Sequence, residues 1–231
     1  MLGAMPPTRR ERARAATLEE IKRAALEQIA TVGGAGLSLR GVARAIGMSP
    51  AGLYRYYDGR DALLTDLIAD AYGALAAALE EAAVGSAGAT APARLLAVAA
   101  AYRRWALDHP SRFLLIFGTP VPGYAAPEGG PTTVAMQRVG FAFLSVAAAG
   151  LSAGELRAPA RRTAPNETRA AGSLPAGFPA EAVAPLLGLW GSLHGLVTLE
   201  LVGQLDWAFP AAETFFEAEM SAAIARWAPA G

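Results

Sequence analysis

Two short helical patterns separated by a glycine lie between Leu37 and Tyr57, and their spacing constrains the fold more than any other feature of the chain. Ala43 is a small residue where two helices can approach, Gly47 can take the positive φ that closes the first of them, and Leu53 is an apolar anchor on the second. Before this turn, Val42, Ala43 and Ile46 share one face of a helix that starts after Ser38. After it, Ser49 is a good N-cap and Pro50 fits the first helical position, where no N–H is needed. The pattern predicts a very short helix over residues 50–56. So short a helix buries little surface, so its value lies in what it presents. Ser49, Pro50, Ala51 and Gly52 are small enough for the backbone to sink towards base edges in a major groove. Tyr54, Arg55 and Tyr56 add hydroxyls and a guanidinium suited to phosphates or bases, and Arg60 follows just before the next helix.

Charge at first argues against a polyanion partner, because 20 Lys+Arg balance 20 Asp+Glu over the 231 residues. Taken by segment the balance disappears. Residues 1–60 hold ten basic and five acidic side chains, and residues 61–231 hold ten and fifteen. A basic end on an acidic body is the asymmetry expected of a nucleic-acid-binding head. The basic end includes an arm with Arg9, Arg10, Arg12 and Arg14, expected to be flexible over residues 1–16.

Helical periodicity continues through the rest of the chain. Thr17 and Glu20 have capping-box spacing, and Ile21, Ala25, Ile29 and Val32 recur at helical intervals, which predicts a first helix over residues 18–32. A long helix over 62–84 opens at Asp61, and others are predicted over 92–108, 111–117, 132–151, 180–202 and 210–227. Residues 118–131 read as a Gly/Pro loop, and 152–179 as a long loop with little periodicity. No convincing β-hairpin appears. The fold class is therefore all-α, with about nine helices: a three-helix head over residues 17–67 and a helical body over 68–231.

Composition narrows the chemistry. With no cysteine, thiol nucleophiles, thiolate metal sites and disulfides are excluded. Only His109 and His194 are available as imidazole ligands, without metalloprotease spacing, so no metal and no cofactor are expected. The charge-free runs 139–154 and 182–199 stand against the ~18–20 apolar residues of a spanning helix. The first is too short. Pro185, Ser192, His194 and Thr198 interrupt the second, so neither is expected to cross a membrane. The arginines near the N-terminus precede a charged amphipathic helix instead of an apolar signal core, and a cytoplasmic location is expected.

With these residues in view, 17–67 resembles the DNA-binding domain of TetR-family transcriptional regulators, and residues 36–64 are similar to the family signature almost from end to end. The resemblance implies that Ser38 and Arg40 hold phosphates. By the same resemblance Ser49, Pro50, Ala51, Gly52, Tyr54, Arg55 and Tyr56 face DNA, and Arg60 replaces the usual lysine as a backbone clamp. Tyr57 stands where phenylalanine is usual, as a core substitution, and Asp58 puts a negative charge near the DNA face.

Trp190, His194 and Gly195 resemble the tryptophan, histidine and glycine motif of one TetR C-terminal subfamily, which His109-Pro110 also fits. That subfamily resemblance implies a homodimer in which the last two long helices pair with those of a second subunit, with Gly191, Gly195, Leu199, Phe215 and Glu219 at the interface. It also implies middle helices that enclose a small-molecule effector. Tyr102, Trp105, Phe113, Phe117, Phe141 and Phe143 supply aromatic density for such a pocket, beside Trp190 and His194. Trp190 and His194, at i and i+4, share a face, with Gly191 and Gly195 on the adjacent ridge. The His194 pair reads either as ordinary helix packing or as a ligand sensor.

The expected function is a ligand-responsive repressor of a palindromic operator, not an enzyme and without catalytic residues. The competing classes are an α-helical carrier or enzyme with an incidental helix-turn-helix, and an architectural DNA-binding protein. Gly150-Leu-Ser152-Ala-Gly154 matches the nucleophile-elbow pattern, but that motif needs a strand before it and a helix after it.

Overall fold

In the computed structural model, residues 8–159, 174 and 178–229 are described. They form nine α-helices and one 3-10 turn, with no strand among the described residues. The helices are α1 (Arg9–Val32), α2 (Leu39–Ala45), α3 (Pro50–Leu53), α4 (Arg60–Gly85), α5 (Ala91–Asp108), α6 (Pro110–Phe117), α7 (Pro131–Ser152), α8 (Ala180–Leu201) and α9 (Ala212–Ala225). Most of the 152–179 segment expected as a long loop lies outside the described residues.

Helix α1 starts earlier than its sequence pattern indicates. The Thr8 backbone N–H donates to Glu11 Oε2 at 2.7 Å, and the Glu11 N–H donates to Thr8 Oγ1 at 3.3 Å, so this upstream pair forms the capping box. Thr17 instead donates its hydroxyl to the Ala13 carbonyl at 3.0 Å, as a threonine within a helix does. The described part of the expected flexible arm is therefore helical from Arg9 onwards.

The chain divides into two compact units. The first takes the described residues up to Ala71 together with Ser111–Val134, and the second takes Tyr72–Pro110 with the described residues from Ala135. Beside the residues 17–67 expected as the head, the first unit takes in α6 from Ser111 and the segment after it. Ile21, Ala25, Val42, Ala43, Leu53, Leu63, Leu64 and Leu67 are buried together, and Leu115, Val121 and Tyr124 pack against them. A three-helix head has little interior, and these apolar side chains from later in the chain extend it.

The second unit is built on α5, α8 and α9. Leu95, Val98 and Tyr102 of α5, Leu186, Leu189, Leu193 and Val197 of α8, and Phe216, Met220 and Ile224 of α9 are buried. Arginine–carboxylate forks are among the links between its elements: Arg103 forks onto Glu200, with Nε–Oε2 2.7 Å and Nη2–Oε1 2.6 Å, and Arg138 forks onto Glu80. Thr90 makes no side-chain cap on α5. Glu155 substitutes for it, accepting the Ala91 N–H at 2.6 Å. By length and composition alone α4, α7 and α8 could each cross a membrane, whereas the sequence reading weighed as spans only the runs 139–154 and 182–199, and neither was expected to cross.

Candidate nucleic-acid interface

The helix-turn-helix forms at the predicted positions except that α3 is shorter than the 50–56 expected: it ends at Leu53, and residues 54–56 form a turn. Gly47 takes φ 66°, a conformation in which any Cβ is strained, and turns the chain out of α2. Ser38 Oγ accepts the Gly41 N–H at 3.3 Å and Ser49 Oγ accepts the Gly52 N–H at 3.1 Å, so each short helix is capped by its serine. The Ser38 N–H is itself held by Gln28 Oε1 at 2.9 Å, which fixes α2 against α1. Gly41 lies so close to Gln28 that a Cβ there would collide with its side-chain amide.

Burial then separates anchor from surface. Leu53 is fully buried, whereas Ser49, Pro50, Ala51, Tyr54 and Arg55 around it are exposed. Ser38 and Arg40 are exposed at the start of α2, and Gly52 and Tyr56 are half-buried. Asp58 is exposed beside them. Arg60 is half-buried. Its Nη2 donates to the carbonyls of Gly34 and Ala35 at 2.9 and 3.3 Å, so the guanidinium ties α4 to the 3-10 turn (Gly34–Gly36) before α2.

Three features escaped the sequence reading. Arg14 lies over the Tyr56 ring, 5.0 Å from its centroid. Tyr57 is buried but not merely core, since its hydroxyl donates to Asp66 Oδ2 at 2.6 Å. Lys22, the only lysine in the chain, reaches Asp66 at 3.0 Å and Asp70 at 2.7 Å. Burial pulls the Lys22 pKa down, and the hydrogen bonds that the ammonium donates to Asp70 and Asp66 outweigh it, so the pKa is raised. The available signal was two aspartates one turn apart, Asp66 and Asp70, within the mainly apolar stretch from Ala62 to Leu79 of α4.

Two of the aromatic residues expected near an effector line a small cavity in the second unit. An apolar cavity of about 20 Å³ in the second unit is lined by Leu95, Phe143, Leu189, Trp190, Leu193 and Met220, among others. That volume has room for little more than a water. Of the aromatic candidates, Trp190 and Phe143 line it. The Tyr102 hydroxyl is 2.8 Å from His194 Nδ1, and Trp190 stacks on His194 with centroids 5.1 Å apart. Burial lowers the His194 pKa. Trp105 instead stacks on His109, Phe141 is exposed, and Phe113 and Phe117 pair within the first unit.

On α8, Gly191 and Leu199 are exposed, and a Cβ added at Gly191 or Gly195 would meet nothing within 4 Å. On α9, Glu219 is exposed while Phe215 stacks on Phe209, centroids 4.0 Å apart. Ser152 ends α7 with a helix before it and a turn after it, which is not the strand–turn–helix geometry of a nucleophile elbow. Among the described residues no three His, Asp or Glu side chains come together as a metal set.

Residues 21–67 match the family model for bacterial regulatory proteins of the tetR family, and residues 95–223 match the tetracyclin repressor-like C-terminal domain. The HTH-type transcriptional regulators Rv1816 of Mycobacterium tuberculosis and Mb1846 of Mycobacterium bovis are each 38% identical over 184 residues, 77% of either chain. The crystal structure of the regulatory protein SCO4313 is similar with a TM-score of 0.75 and 38% identity, covering 94% of this chain and 98% of its own. A Rhodococcus sp. RHA1 protein of unknown function aligns with a TM-score of 0.70 and 26% identity over 92% and 95%. A capped helix-turn-helix with an exposed second helix, joined to a helical body with these relatives, makes the chain a member of the TetR family of DNA-binding transcriptional regulators.

Proposed function

We propose that the protein is a homodimeric repressor that reads a partly palindromic operator and is released by an apolar or aromatic small molecule. The observation that carries this reading is the surface of α3, where Ser49, Pro50, Ala51, Tyr54 and Arg55 are exposed around a fully buried Leu53. Small residues admit the backbone to the major groove, Tyr54 and Arg55 supply donors, and Ser38 and Arg40 hold phosphates beside it. Two copies of α3 about 34–36 Å apart would meet successive major grooves.

The second copy docks on α8 and α9. Leu187, Leu199 and Val202 are exposed apolar side chains on or next to α8, and the open glycines at 191 and 195 leave room for a close helix approach. The effector enters the apolar cavity, with the Tyr102–His194 pair as its nearest polar node. Because that cavity is small, the effector stabilises a wider conformer and releases DNA by differential affinity. Its C-terminal half is of the tryptophan–histidine–glycine type.

A mobility-shift assay with the region upstream of the protein's own gene tests the reading. Wild type is expected to retard it, and Tyr54→Ala and Arg55→Ala to lose most of that affinity. Absence of binding, or binding indifferent to both substitutions, overturns it.

A further inference from the structure

The basic start of α1 is a helix whose inward face continues after the core has ended. Positions 10, 14, 17, 21, 24 and 28 follow one another at intervals of four and three residues and so lie on one face. Ile21 and Ala24 on that face are buried in the head. Further towards the N-terminus the same face carries Arg14 and then Arg10, both exposed. The buried part of this face, Ile21 and Ala24, thus gives way to exposed arginines at its N-terminal end without a change of direction. Arg14 shows which way it faces, because its guanidinium lies over Tyr56, at the end of the segment that follows α3.

Charge agrees with the geometry. Arg9, Arg10, Arg12 and Arg14 occupy the first two turns against a single acid, Glu11, which is engaged by the Thr8 hydroxyl and N–H. The capping box makes this overhang a formed helix, so its arginines are held in place beside the recognition surface.

We infer that Arg10 and Arg14 are a second DNA-contacting element, an arginine rail that binds backbone phosphates flanking the groove occupied by α3. The inference rests on the DNA-binding reading and adds a site to it. Phosphate contacts position a protein without carrying sequence information, so the rail strengthens binding to any duplex alike.

Fluorescence anisotropy of the full-length protein over a salt series tests this with two labelled duplexes of equal length, one from the upstream region and one of random sequence. Arg10→Ala/Arg14→Ala is expected to weaken binding to both by about tenfold or more, and to reduce the slope of log K against log salt by about 2 per protomer. Arg10→Lys/Arg14→Lys is expected to restore most of that slope, since a phosphate accepts a point charge. Arg23→Ala, farther along the same helix and paired with Glu27 at 3.7 Å, is expected to leave it unchanged. An alanine variant with wild-type slope and intact helicity overturns the rail while the α3 reading stands. A loss confined to the upstream duplex overturns it too, and a wild type that binds neither duplex overturns both readings.

Discussion

The Tyr57 hydroxyl and the Lys22 ammonium meet on one oxygen, Asp66 Oδ2, at 2.6 and 3.0 Å. This node ties α1 and α4 to the residue that leaves the recognition segment, so it holds the exposed surface of α3 at a fixed angle to the rest of the head. Tyr57→Phe keeps the ring and removes the donor, while Lys22 still satisfies Asp66. It is expected to cost about 1.5–3 kcal/mol, the range of a hydrogen bond to a charged group. Chemical denaturation of the two proteins checks this, and an unchanged midpoint would show that the hydroxyl adds nothing.

The same node predicts alkaline sensitivity. Burial first, and then the hydrogen bond to Asp66, raise the Tyr57 pKa well above its ordinary value near 10. A raised pKa means that the folded state holds its proton more tightly than the unfolded state. The contribution is therefore complete below about pH 10 and is lost as pH rises through the folded value. Lys22, also raised, acts in the same direction. Melting temperature is expected to fall more steeply above pH 10 in wild type than in Tyr57→Phe.

His194 has the opposite sign. Its pKa is lowered by burial, so the unfolded chain takes up a proton that the folded one resists. The stability it contributes is present above about pH 6.5 and is lost as pH falls through the folded value. Melting scans at pH 7.5 and 5.5 are expected to show a drop of a few degrees in wild type and a smaller one in His194→Gln. This window lies above the ordinary carboxylate range, which keeps Asp and Glu titration out of the comparison.

Local rules made the helix-turn-helix legible: Ser38 and Ser49 cap, Gly47 turns and Leu53 anchors, each within a few residues of its partner. Helix ends between α5 and α9 were legible for the same reason, from Pro and Gly punctuation. Long-range pairing was not. Nothing adjacent to Tyr57 announces Asp66, and nothing adjacent to Val121 announces that it packs into a head that precedes it by more than fifty residues. The capping box misled because two Thr-x-x-Glu patterns stand nine residues apart, and a stretch rich in Arg, Glu and Ala lets the helix extend to the earlier one. Aromatic density alone did not tell which rings line the cavity, as Phe143 and Trp190 do, from those that stack in pairs, as Trp105 with His109.

Val121 and Gly34 offer a test of how the later segment joins the head. A Cβ at Gly34 would lie 2.6 Å from Val121 Cγ2, so only glycine fits beneath that valine in the turn before α2. Gly34→Ala is expected to destabilise the protein by about 1–3 kcal/mol through overpacking. Val121→Ala in the same chain is expected to recover part of that loss. In a double-mutant cycle the coupling should reach at least about 0.5 kcal/mol, and strict additivity would show that the two sites do not touch.

The Arg103–Glu200 fork is the strongest charged link in the second unit, with side chains 14% and 13% exposed and contacts of 2.6 and 2.7 Å. Arg103 also lies over the Phe216 ring at 5.5 Å, so one guanidinium joins α5, α8 and α9. Removing one partner leaves the other charge in a mostly dehydrated site, which costs about 3–5 kcal/mol when burial is complete and somewhat less here. Arg103→Met and Glu200→Leu are each expected to lower stability by about 2–4 kcal/mol. The double variant, which leaves no orphaned charge, is expected to be more stable than either single one. Urea denaturation of the four proteins measures this, and a double variant as unstable as the sum of the singles would mean that the fork contributes through packing alone.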